Sequence, residues 1–132
     1  MSPKTYADVV EGIRATMAAY AQALDDGRTD DVVATFCPDG SCDIPGLGAH
    51  SGQDALHKAY ARWKPQQPTR HLILNTLVTD WSEHEANAVS DVIFILRGDT
   101  GWAIQLVGRY RDTLRHHDDE WRFYHRAAEF LT

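Results

Sequence analysis

What this sequence has little of narrows its reading. Two cysteines occur in 132 residues, Cys37 and Cys42, without the spacing of a zinc site or a redox pair. That argues against a disulfide scaffold and for a reduced, cytoplasmic protein. No apolar run approaches a membrane span, and "MSPKTYADVV" has no signal-like apolar core, so no membrane partner is expected. Positive charge is also short: thirteen Lys and Arg face nineteen Asp and Glu, a formal charge of −6 with no basic block. Nucleic acid and anionic bilayers are therefore poor partners. No phosphate-cradling glycine loop or nucleotide fingerprint appears, so no cofactor is implied.

What is present describes one domain over residues 1–132, since 43% hydrophobic content can close a single core at this length. Residues 6–26 space Ile13, Met17, Tyr20, Ala21 and Leu24 along one helical face. "DDGRTDD" interrupts the pattern, with Gly27 as a helix C-terminal signal and Thr29 or Asp30 opening a short second helix. "CPDGSCDIPGLGAHSG" is turn-rich, with a short extended piece at Ser41–Ile44. Ser51 and Asp54 resemble a capping pair ahead of a third helix, "GQDALHKAYARW", which "KPQQP" ends. The period then changes to two, predicting strands over 69–81, 86–97, 101–115 and 120–131. Helices first and antiparallel strands after predict an α+β fold. A curved sheet wrapped on three N-terminal helices leaves a cone with an internal pocket for a small molecule.

Four pieces in this order, "YAQALDDGRTDDVVATFCPDG", "GLGAHSGQDAL", "RHLILN" and "GRYRDTLRHHDDEWRFYHR", make the chain resemble the SnoaL-like branch of the nuclear-transport-factor-2-like, cystatin-like superfamily. The resemblance covers nearly the whole length and implies that fold. Superfamily members include dehydratases, isomerases, cyclases, epoxide hydrolases and proteins without catalysis, so fold alone assigns no activity. The site pattern resembles the subset containing scytalone dehydratase, bile-acid 7α-dehydratase and hexachlorocyclohexane dehydrochlorinase. These pair an Asp at the end of the first helix with a His on the first long strand, the places of Asp25 and His71. Bile-acid dehydratases add a Tyr five residues before the Asp, which Tyr20 matches. The chain departs from scytalone dehydratase in having Val107 and Gly108 before Arg109–Tyr110, and Leu24 before Asp25. Asp43 falls one position early for the carboxylate base of ketosteroid isomerases, which turns it to the opposite strand face.

The residues support chemistry of their own. An imidazole held by a carboxylate has a fixed tautomer and a more basic second nitrogen, suited to taking a proton from carbon. A carboxylate at a helix C-terminus opposes the macrodipole and asks for a partner. Asp25 shares a face with Met17 and Ala21, so it is the inward member and Asp26 the solvated one. Tyr20 is the third catalytic candidate, to polarise a carbonyl or protonate a leaving hydroxyl, or else a core tyrosine. Asn75 follows His71 on the same predicted face and is a substrate-binding candidate, with Trp63, Phe94 and Val107 as cavity walls. Arg122, Tyr124 and Arg126 alternate onto one face, and Arg126 reads as a surface or interface residue that could otherwise anchor an acidic group. "RHHDDE" reads as a hairpin turn, so no metal site is expected. The expected function is a cofactor-independent lyase or isomerase acting on a small, largely apolar carbonyl or hydroxyl compound. The alternatives are a non-catalytic binding or dimerisation domain, or a polyketide cyclase or epoxide hydrolase type. The resemblance also implies a homodimer through the sheet.

Overall fold

The computed structural model describes residues 3–131. Helix α1 (Tyr6–Asp25) starts at a reciprocal cap: the Asp8 N–H donates to Thr5 Oγ1, and the Thr5 N–H to the Asp8 carboxylate. It ends as the sequence predicts. Gly27 adopts φ +70°, and the Gly27 and Arg28 N–H groups return to the carbonyls of Leu24 and Ala23. Helix α2 (Thr29–Ala34) leads to β1 (Phe36–Ile44) and β2 (Gly48–Ser51), and α3 (Gln53–Arg62) follows. Four long strands complete the chain: β3 (Thr69–Trp81), β4 (Glu85–Gly98), β5 (Gly101–His117) and β6 (Glu120–Leu131). They form one six-stranded sheet in the order β2-β1-β6-β5-β4-β3. Neighbours pair antiparallel except β1 with β6, which run parallel. The architecture is α+β, with the helices on one face of a curved sheet.

The turn-rich segment corrects the sequence reading. It contains two strands rather than one short extended piece. Gly40 looks like a turn residue, yet a Cβ there would stand 2.8 Å from the Phe123 carbonyl, so it serves close backbone approach within β1. Ser51 closes β2 and caps nothing; Gly52, at φ +85°, precedes α3 instead.

Ile13, Met17 and Tyr20 of α1 lie buried with Leu114 of β5 and Phe123 of β6, which fixes the helix across the concave face. The sheet reaches around it through bulges. On β6, Phe123 pairs with Leu114 and His125 with Thr113, so Tyr124 is the extra residue and the alternation changes phase there. This overturns the exterior placement of Arg126. Trp121 and Phe123 point inward before the bulge; after it the inward residue is Arg126, fully buried. Its guanidinium makes two hydrogen bonds to the buried Asp112 carboxylate, at 2.8 and 2.9 Å. Burial works against the Arg126 charge, but the Asp112 charge and hydrogen bonds more than reverse that and raise its pKa.

Removing one member of such a pair strands the other charge. Asp112→Ala is expected to cost about 3–5 kcal/mol in urea unfolding, with Asp112→Leu/Arg126→Met recovering most of it. A single-variant loss below about 1 kcal/mol contradicts the buried pair.

Candidate active site

Strand β3 is a sheet edge, so backbone groups on its outer side need partners from elsewhere. The end of α1 supplies one. Asp25 Oδ2 accepts the His71 backbone N–H at 2.9 Å, and Oδ1 accepts the Thr69 hydroxyl at 3.0 Å. Asp25 Oδ1 also lies 2.7 Å from His71 Nδ1. A carboxylate at an unfavourable helix end thus meets three donors from one strand, and its side chain is 5% exposed. With the carboxylate accepting from Nδ1, the neutral ring carries its proton there and leaves Nε2 as the lone-pair nitrogen. Nε2 has no hydrogen bond to any described residue. Asp26 faces solvent and pairs with Arg28.

His71 borders a cavity of about 380 Å³ between the concave sheet and the helices. Its floor carries Tyr20, Tyr60 and Tyr110; Val92, Phe94 and Leu106 form the sheet wall. The rim is different in kind. Pro45 and Leu47 come from the β1–β2 turn, and Trp63 and Pro65 from the end of α3 and the following loop. The Phe94 ring lies 4.6 Å from the His71 ring, centroid to centroid. No Lys, Arg, Asp or Glu among the described residues lines this space.

His71, Tyr20, Trp63 and Phe94 therefore line one cavity, and Asp25 stands behind it, bonded to His71. Tyr20 sits on the floor with its hydroxyl 2.7 Å from that of Tyr60. Two substrate-binding candidates, Asn75 and Val107, lie elsewhere. Asn75 takes φ +55° in a bulge of β3 between Leu74 and Leu77, which breaks the alternation counted from His71. Its amide donates to Asp91 on the exposed side. Val107 points outward because Leu106, opposite Phe94, takes the inward place. The alternation that puts Arg109 and Arg111 outside already puts Val107 there. Sequence reading missed Tyr60, Leu106 and Tyr110. For Leu106 and Tyr110 the signal was available, as even-numbered partners of Asp112 and Leu114 along β5.

The "RHHDDE" segment forms the β5–β6 turn, with Asp118 and Asp119 at φ +50° and +64°. His116 packs against Trp121, and burial lowers its pKa. Among the described residues no three His, Cys, Asp or Glu side chains converge as metal ligands. No described helix is long and apolar enough to cross a membrane.

A SnoaL-like domain model matches residues 5–127, and the chain belongs to that family. No curated protein matches it. Solved structures share the fold closely. A variant of a Mycobacterium tuberculosis protein of unknown function superposes with a TM-score of 0.86 at 23% identity, over 92% of this chain and 71% of that one. A provisionally assigned scytalone dehydratase from Novosphingobium aromaticivorans gives 0.83 at 27% identity, over 93% and 84%. A Catenulispora acidiphila protein solved in complex with S-DNPA gives 0.84 at 20% identity, over 94% of each chain.

Nitrogen NMR of the neutral His71 ring is expected to show the Nδ1–H tautomer, and Asp25→Ala to release that preference. An Nε2–H ring in the unsubstituted protein contradicts the Asp25 bond.

Proposed function

We propose that the protein is a cofactor-independent lyase or isomerase, with His71 as general base and Asp25 as the residue that orients it. The observation carrying this is the 2.7 Å Asp25–His71 bond, which leaves Nε2 as the basic nitrogen of a ring that borders the apolar cavity. The substrate is a small, largely apolar carbonyl or hydroxyl compound, in keeping with walls that offer few polar groups. Nε2 takes a proton from carbon, and the C–H electron pair moves into a new C=C or enolate π bond. In an elimination the imidazolium returns that proton to the departing hydroxyl, which leaves as water. In an isomerisation it returns the proton to another carbon. Such general-base assistance is worth about 10²–10⁴-fold. The provisional scytalone dehydratase among the structural neighbours supports the dehydratase direction.

A second reading has an observation behind it. The three bonds to Asp25 tie β3 to α1, and a non-catalytic binding domain would use the same tie for stability alone. Around either reading we place a homodimer in the cytoplasm. Exposed Ile104 and Val107 on the outer sheet face support the first, and two buried free cysteines suit a reducing compartment.

Exchange of α-hydrogen for deuterium in an enolisable two-ring ketone such as deoxybenzoin, followed by proton NMR, separates the readings. His71→Ala and Asp25→Asn are each expected to lower the protein-catalysed rate by about 10²-fold or more while the chain stays folded. The double variant is expected to be little worse than either single one. Ketone binding without any exchange in the unsubstituted protein, with both substitutions acting only on melting temperature, favours the binding domain.

A further inference from the structure

The cavity holds three phenols, and they are not equivalent. The Tyr20 and Tyr60 hydroxyls are 2.7 Å apart, one donating to the other. The Tyr110 hydroxyl has no hydrogen-bond partner among the described residues. It is also absent from the polar atoms sealed away from solvent without a partner, although the residue is only 5% exposed. Since Tyr110 lines the cavity, its hydroxyl, without a protein partner among the described residues, is open to whatever enters.

The ring beneath that hydroxyl is held in place. Arg126 lies under it, Cζ 3.7 Å from the Tyr110 centroid, and is itself fixed by both oxygens of Asp112. Tyr20 packs against Tyr110 edge to face at 6.4 Å. Ala128 of β6 stands opposite Tyr110, and its small side chain leaves room on that flank. Burial pushes the Tyr110 phenol well above the ordinary tyrosine range, so it remains a neutral donor throughout the physiological pH range.

The position of Tyr110 also sets a length. His71 aligns with Phe94 and Leu106 across β3, β4 and β5, whereas Tyr110 aligns with Ser90 and Ala128. These rows are four residues apart, about 13 Å of strand, part of which the phenol itself spans. At interior packing density a 380 Å³ cavity holds roughly 15–20 non-hydrogen atoms. With no lysine or arginine among the described lining residues, a buried carboxylate or phosphate would enter without a counter-charge.

We infer that Tyr110 is the hydrogen-bond donor for a substrate oxygen at the end of the cavity away from His71, and that the cavity selects neutral ketones or alcohols of two or three rings over anions. The inference rests on His71 being the base and adds the group that binds the other end of the molecule.

Calorimetric titration tests it with three probes: deoxybenzoin, its hydrocarbon counterpart bibenzyl, and the anion diphenylacetate. The protein is expected to bind the ketone about tenfold more tightly than the hydrocarbon, as one good hydrogen bond allows. The anion is expected to bind more weakly than either. Tyr110→Phe removes the ketone's advantage and leaves bibenzyl unchanged, whereas Tyr20→Phe keeps the advantage. As a measurement independent of the variants, the bound ketone's infrared carbonyl stretch lies below its value in hydrocarbon solvent. An advantage that survives Tyr110→Phe, or collapses in Tyr20→Phe instead, overturns the inference. So does tight anion binding, an unshifted carbonyl, or failure of the protein to bind the ketone. His71→Ala keeps the two outcomes apart: it leaves the ketone's advantage intact and removes only deuterium exchange. Ketone discrimination without exchange in the unsubstituted protein therefore refutes His71 as base and leaves Tyr110 as the binding group.

Discussion

One carboxylate organises the site. Asp25 stands at the end of α1, where the helix dipole opposes a negative charge, and it is nearly buried. Its stability there depends on three donors, two from His71 and one from Thr69. The same contacts give edge strand β3 the backbone partner it lacks on its outer side. Two deficits, an unfavourably placed anion and an unpaired strand edge, offset each other. The orientation of the imidazole follows from that compensation.

A second buried charge acts at the other end of the cone. Arg126 and Asp112 neutralise one another while the guanidinium supports the aromatic floor. Buried pairs of this kind are weak evidence for stability, because an apolar replacement often serves as well. Their geometric effect is clearer: the pair sets where the Tyr110 ring lies. The cavity is therefore apolar along its walls and backed by fixed charge beneath its floor.

The elements that were legible in the sequence are those whose pattern is long and regular. The helical stripe from Ile13 to Leu24 and the four period-two segments predict α1 and β3–β6 nearly to the residue. Asp25 and His71 were legible because helix spacing and the family resemblance agree on them. Legibility fails wherever a strand gains a residue. Asn75 and Arg126 are misplaced by counting across bulges, which reverse the inward and outward faces without any marked change in composition. Val107 is a different case, since alternation along β5 was sufficient to place it. Gly40 was opaque because a glycine chosen for close approach and one chosen for a turn look alike in sequence.

The cavity's rim and its floor are built from unlike material. Pro45 and Leu47 belong to a turn, and Pro65 to a loop, whereas His71 and Tyr110 stand on long paired strands. Loops accept insertion and replacement far more readily than sheet interiors do. Exchanging the mouth would thus alter which molecules gain entry while leaving in place the paired strands that carry His71 and Tyr110, so selectivity and scaffold are free to vary apart.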